Sequence, residues 1–331
     1  MPSRPEDDDP RLGDVSEGRV LQAILTRTPP SAHTLLGPGD DAAVIAAPSG
    51  SVVATTDTLV HGPDFRLAWS SGYDIGWKAA AVNLADVAAM GARPTALLVA
   101  LAVPRDLRLS FVERLADGFR DACAALAPGC AVVGGDLTVS DVLTVAVTAL
   151  GDLEGRAPVT RSGARPGDVV AVAGELGLAA HGLSVLFGRF RDGDVPVPVD
   201  LAKLGSGERA ALSAQLRPAP PIALGAVAAT AGATAMMDIS DGLALDARRM
   251  ADASGVTLAL DGSALGAAGD RALAGGEDHA LLATFPEGAL PPGFRAIGVV
   301  RARGDEELLC DERPVDTGGW DPYRDWDSVS G

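Results

Sequence analysis

Cationic side chains are scarce in this chain. The 331 residues carry 27 Lys and Arg against 44 Asp and Glu, for a net charge of −17, and only Lys78 and Lys203 are lysines. Such a chain repels nucleic acid and anionic membrane surfaces, so neither is expected as a partner. If its substrates carry phosphate, a cation must stand between them and these carboxylates. Cysteine is equally sparse. Cys123, Cys130 and Cys310 are odd in number and lack C-x-x-C spacing, which argues against a disulfide frame or zinc site and for a reducing cytoplasm. The four histidines are scattered without zinc-ligand spacing. Aromatics are 4% of the chain, so its core must be built from Ala, Val and Leu. No run approaches the roughly 20 apolar residues that span a bilayer. The acidic N-terminus has no basic segment followed by an apolar one, so no secretory signal is expected.

What is present reads as about two domains. Residues 1–13 are acidic and Pro-rich, and are expected to be a disordered tail. Strand-like runs fall at 42–47 and 51–57 and look like an antiparallel pair; 71–91 is a long Ala-rich helix. Further strands are expected at 95–103, 131–134 and 142–150, with a helix at 110–127. The Gly-, Arg- and Pro-rich stretch 151–167 marks a boundary, giving domains 14–155 and 156–331. In the second, strands are expected at 168–173, 234–239, 256–260, 279–285, 294–300 and 307–310, and a helix at 242–253. Strands and helices alternate in both halves, yet the β-pairs look antiparallel, so the fold class is α+β with mixed α/β character.

The strongest chemical signal is acid where acid is costly. Asp40 and Asp41 follow Gly39 directly before an apolar run, though the same residues also suit a solvated turn. Thr55, Thr56 and Asp57 close an apolar strand and offer oxygen to a hard cation. Asn83 and Asp86 share one face of the apolar helix and need partners there. Gly134 and Gly135 precede Asp136, where glycine would let a phosphate approach the backbone, or would only make a tight turn. Asp238 and Ser240 alternate onto one face of a strand end, and Asp241 stands where an N-cap is expected. Glu277 and Asp278 precede the strand at 280–285. Each cluster is weak alone. Together, with no Walker phosphate loop and no evident nucleophile, they point to phosphoryl transfer by positioning and charge neutralisation around several Mg²⁺ ions.

These residues resemble a known family. Thr56-Asp57-Thr58-Leu59-Val60-His61-Gly62-Pro63-Asp64-Phe65 looks like the TDTLVEGVHF signature of thiamine-monophosphate kinases, and 77–92 (WKAAAVNLADVAAMGA) resembles their KALAVNLSDLAAMGA helix. GDDAAV at 39–44, GGD at 134–136, the TRSGARPGD run at 160–168, DISDGL at 238–243, GGED at 275–278 and Gly319-Trp320-Asp321 match in order. The resemblance implies the two-domain fold of the aminoimidazole-ribonucleotide synthetase superfamily. Its N-terminal sheet pairs across a homodimer and its C-terminal domain is α/β. By resemblance, Asp41, Thr55, Thr56, Asp57, Asp86, Asp136, Asp238 and Asp241 would hold Mg²⁺, while Gly135, Asp136, Arg161 and Ser240 would contact ATP. Asp64, Glu277 and Trp320 would contact thiamine monophosphate. The implied reaction is direct in-line transfer from ATP, giving thiamine diphosphate. Three departures from the family wording, Asp64, His279 and Pro322-Tyr323, are all expected on the substrate side.

Two alternatives stand beside this reading. Another ATP-dependent synthetase of the superfamily would need features absent here, such as a reactive Cys in residues 1–40 or a C-terminal Cys tail. A catalytically idle nucleotide-binding relative would have no reason to keep so many costly carboxylates.

Overall fold

The computed structural model describes residues 9–37, 43–266, 268–316 and 318–319. The chain first runs through α1 (Glu17–Leu25), the short strands β1 (Thr34–Leu36) and β2 (Val44–Ile45), β3 (Val53–Val60), α2 (Gly72–Ala89), β4 (Arg93–Val103), α3 (Leu109–Leu126), β5 (Val132–Val139) and β6 (Thr144–Asp152). Strands β3, β6, β4 and β5 form one sheet in that order, with β4 and β5 parallel and the other neighbours antiparallel.

The expected pairing of residues 42–47 with 51–57 does not form. β2 pairs with β1, and β3 pairs along its whole length with β6. The reason is burial: β6 presents Val145, Val147 and Ala149 as an apolar face opposite β3, and a two-residue β2 offers nothing comparable. The strand expected to stop at residue 134 continues to Val139, so Gly135 and Asp136 lie inside β5 rather than in a turn after it. Asp9–Gly13, read from composition as part of a disordered tail, are anchored. Asp9 accepts from the Ser110 hydroxyl at 2.6 Å, and the Leu12 N–H donates to the Leu107 carbonyl at 2.8 Å.

Helix α2 is opened by a capping box between Ser71 and Asp74 and is buried over nearly its whole length. It packs against α3 on one side and the inner face of the sheet on the other. Gly72 and Gly76 of α2 and Gly118 of α3 make this contact backbone to backbone: a Cβ at any of them would overlap a carbonyl of the facing helix. Gly118→Ala is therefore expected to destabilise by about 1–3 kcal/mol or more through overpacking, read as a lower urea midpoint at unchanged m-value. A neutral result would mean the two helices separate easily.

The second unit contains β7 (Val169–Ala173), α4 (Leu178–Arg189), the hairpin strands β8 (Arg191–Asp192) and β9 (Val195–Pro196), α5 (Ser206–Leu216), α6 (Ile222–Thr230), β10 (Ala235–Ile239), α7 (Leu243–Ser254), β11 (Val256–Leu260), α8 (Asp270–Ala274), β12 (Ala280–Phe285), β13 (Arg295–Ala302), β14 (Leu308–Cys310) and β15 (Arg313–Pro314). Its seven-stranded sheet has the order β10-β12-β7-β13-β11-β14-β15. The central strands are buried on both faces. Val170 and Val172 face the core under α7 and α8, while Ala171 and Ala173 face the core under α6. Two indoles tie the units together: Trp69 Nε1 donates to the Phe190 carbonyl at 3.0 Å and Trp77 Nε1 to the Pro218 carbonyl at 2.8 Å. α2 also packs on α6 and β10, so it is shared by both units. Among the described residues no helix is long and apolar enough to cross a membrane.

Candidate functional site

Strand alternation sorts the acids of the first sheet. Asp57 pairs with the buried Val147 and, with Thr55, faces α2. The Thr55 hydroxyl donates to Asp86 Oδ2 at 2.8 Å, and Asn83 Oδ1 accepts from the Asp57 N–H at 3.1 Å. The polar pair on the apolar helix thus finds its partners on β3. Thr56 faces the other way, its hydroxyl donating to the Val147 carbonyl, and the structure does not bring that side chain to the cluster. Asp136 lies on that same outer face, paired with Ala100 across from the buried Leu101 and Val99 side. Three strand spacings, about 14 Å, separate β5 from β3 along the sheet. Gly135 is fixed by packing: a Cβ there would strike the Val99 carbonyl of β4.

The second sheet brings its acids to the inner cluster. Asp238, 4% exposed, ends β10 just before Ser240 and Asp241. Asp241 is not the expected N-cap. Gly242 occupies that position at a φ of 115°, and the carboxylate of Asp246, 0% exposed, accepts the N–H groups of Ser240 and Asp241 at 3.1 Å each. Arg249 Nη1 then bridges Asp241 at 2.6 Å and Asp246 at 2.7 Å. Asp246 and Arg249 escaped sequence reading because they lie in a charged stretch of α7 that looks like a solvated helix face.

Electrostatics confirm that the two sheets meet here. Loss of solvent, then the charges of Asp238 and Asp57, push the Asp86 carboxyl up to about 7. Asp57 is also raised, by loss of solvent and by Asp238 and Asp241, with His279 opposing. Burial and Asp241 raise Asp246 to about 6. His279 is buried, and its Nδ1 lies 3.2 Å from Asp238 Oδ2. Burial alone would lower its pKa, but the bond to Asp238 and that carboxylate's charge raise it. The expectation that His279 stands on the substrate side is extended: the ring bonds Asp238 of the acidic cluster and also bears on Glu277. Its backbone explains the direction. Glu277 and His279 have φ values of 74° and 52°, a left-handed conformation that turns alternate side chains inward. The loop is held by Glu277 N–H to the Ser240 carbonyl at 2.9 Å and His279 N–H to the Ile239 carbonyl at 3.1 Å.

Beside the acids lies a second group. Lys78, buried on α2, forms an ion pair with Glu277. Burial would raise the Glu277 carboxyl, but Lys78 and His279 hold it below its ordinary value. Asp64 accepts the Val60 N–H at 2.7 Å and so closes the turn after β3. Burial first, then Glu277, raise its carboxyl, with the Val60 N–H and Lys78 opposing. A pocket of about 40 Å³ adjoins these groups, lined by Asp64, Arg66, Trp69, Lys78, Phe187 and Gln215. Arg66 stacks 5.4 Å from the ring centres of both Trp69 and Phe187. Arg161 sits exposed in the connection beside β10, whose Met236 N–H donates to the Thr160 carbonyl at 3.0 Å. Asp41 and Trp320, and the departure at Pro322-Tyr323, lie outside the described residues.

The donors suit a hard divalent cation: they are all oxygen, and the carboxylates carry like charge, which holds protons on Asp57 and Asp86 more tightly than on isolated carboxyls. Among the described residues no three ligands are gathered closely enough to hold an ion unaided. That fits a cation completed by water and phosphate oxygen.

Residues 39–153 match the AIR synthase related protein N-terminal domain, and residues 165–309 match the corresponding C-terminal domain. The chain is 40% identical to a thiamine-monophosphate kinase of Mycobacterium tuberculosis, over 96% of this chain and 93% of that protein. It is 38% identical to the Corynebacterium glutamicum kinase, over 95% of both. Among solved structures it resembles AaThiL complexed with AMPPCP and TMP, with 31% identity, a TM-score of 0.72, and coverage of 94% of this chain and 98% of that one.

Proposed function

Since the chain belongs to the thiamine-monophosphate kinase family and carries that family's phosphorylation of thiamine monophosphate by ATP, we propose how its residues divide the work. The observation that carries the reading is the convergence of Asp57 of β3 and Asp86 of α2 with Asp238 and Asp241 at the end of β10, beside the Lys78–Glu277 pair. In this reading Asp57, Asp86, Asp238 and Asp241, with the Thr55 hydroxyl, would hold Mg²⁺ together with Asp41, while Thr56 and Asp136, on the outer face, would contribute only toward a second copy of the chain. Bound Mg²⁺ would neutralise the phosphates and stabilise charge on the transferring group.

The protein's own groups do the positioning. Arg249 and Asp246 fix the β10–α7 turn, so Ser240 can meet the nucleotide together with Arg161, Gly135 and Asp136. Asp64 and Glu277 face the acceptor, with Trp320 as a further contact. The pocket beside Asp64 and Lys78 offers a carboxylate to the cationic thiazolium ring, while its aromatic walls, Trp69 and Phe187, are stacked by Arg66. His279 holds Asp238 in place.

We further propose that the chain acts as a homodimer in the cytoplasm. The outer face of the first sheet supports this, because it leaves Leu98 37% exposed on the side that carries Asp136. It also carries Thr56 and Asp136, which could then serve a cleft shared by two copies.

The test is to incubate protein with Mg²⁺, γ-labelled ATP and thiamine monophosphate. Label should appear in thiamine diphosphate, and none should remain on the protein when the acceptor is omitted. Stable label on the protein would overturn direct transfer, and absence of product would overturn the reading as a whole.

A further inference from the structure

A larger cavity, about 460 Å³, lies in the second unit away from the acidic cluster. It opens between the β7–α4 turn, the segment after β11, α8 and β13, and its volume is in the range that holds a metabolite-sized ligand. Its walls combine apolar surface from Leu176 and Leu265 with the cationic groups of Arg271 and Arg295 and the ring of His181; the one carboxylate is Glu175. In a chain of net charge −17 this local excess of cation is unusual. Many arginines here are tied to acids, Arg189, Arg249 and Arg303 among them. Arg271, by contrast, makes no side-chain hydrogen bond or ion pair among the described residues. Arg295 spends one N–H on the Ala264 carbonyl at 2.8 Å, and Glu175 is its charge neighbour on the same wall.

The wall is also wired to the active cleft. The β7–α4 turn is gripped from its other side by Asp278, whose Oδ1 accepts the Ala179 N–H at 2.8 Å. Asp278 stands between Glu277 and His279 in the left-handed loop. The Arg271 carbonyl accepts the Gly275 N–H at 2.8 Å, so the cavity's floor and that loop share a backbone connection.

We propose that this cavity is a second ligand site, taking a small organic phosphate without metal, and that its occupancy is felt at the Glu277–His279 loop. Each guanidinium that lines the cavity can recognise phosphate bidentately, and the leucines accept an apolar or ring portion. The acidic cleft, stripped of divalent cation, repels the same ligand. That difference separates the two sites and makes the test independent of the roles proposed for the cleft.

ADP is titrated calorimetrically into the full chain in excess EDTA. One ADP per chain should bind, and Arg271→Ala/Arg295→Ala should weaken it by about 10-fold or more, or about 1.4 kcal/mol. Absence of binding at millimolar ADP, or binding indifferent to the two arginines, overturns the site. With ADP bound in EDTA, amide exchange should slow at 177–179 and at 275–279. Slowing at the first segment alone overturns the linkage.

Discussion

Asp57→Asn and Asp238→Asn are each expected to reduce kcat by about 10²–10³-fold, the scale of losing one charge-stabilising group at a phosphoryl or acyl centre, while the protein remains folded. Both side chains face the same cleft from different sheets. Neither contributes apolar packing. Asn keeps the volume, and at position 238 its amide can still meet His279 Nδ1. The loss should not be recovered by raising ATP, because the missing interaction belongs to the transferring group and not to ground-state binding. Circular dichroism of each variant should match the parent in EDTA, and its urea midpoint should be no lower, because a like charge has been removed from the cluster. A variant that unfolds, or one that keeps more than a tenth of its activity, removes that acid from the transfer site.

Asp86→Asn is expected to have an opposite effect on stability. In the metal-free chain the Asp86 carboxyl is raised from 3.8 to about 7, first by burial and then by Asp238 and Asp57. The folded state therefore holds a proton that the unfolded state releases. For this group, stability is highest below about pH 4, falls as pH rises from about 4 to 7, and pays the full penalty above that. Three pH units correspond to a ceiling of about 4 kcal/mol. Part of that is shared repulsion that the neighbours relieve by other means. Asn removes the charge and still accepts the Thr55 hydroxyl. The variant's metal-free Tm at pH 8 should rise by roughly 2–8 °C, and the pH slope between 4 and 7 should flatten. Added Mg²⁺ should stabilise the parent more than the variant. A lower or unchanged metal-free Tm at pH 8 would show that Asp86 is satisfied as an anion by groups already present.

These effects show what local sequence could reveal. Costly acids on apolar backbone were visible, because hydrophobic neighbours make Asp57, Asp86 and Asp238 conspicuous. Their meeting was not, since it depends on β3 pairing with β6 about ninety residues away and on α2 lying against both sheets. Strand alternation inside β3 and β5, which sends Thr56 and Asp136 to the outer face, became readable only when the strands proved longer than their apolar cores suggested. Asp246 looked like surface charge but is fully buried, because its partners are backbone N–H groups that sequence does not display. His279 was placed on the substrate side by its neighbours in sequence. A pair of left-handed residues turned it to Asp238, and a non-glycine residue gives no hint of such a backbone. The two-domain architecture, by contrast, was legible, because ordered motifs span nearly the whole chain.

Helix α2 carries Lys78 near one end of the cleft and Asp86 near the other, and its glycine contact with α3 leaves it no room to slide. Eight residues of α-helix measure about 12 Å. On the proposed roles, the helix is a ruler laid between the Lys78–Glu277 pair on the acceptor side and the acids proposed to hold the transferring phosphate. An acceptor shorter by one phosphate could fill the far end and still fall short of the mark. Discrimination by length would then need no clash and no dedicated recognition of the missing group.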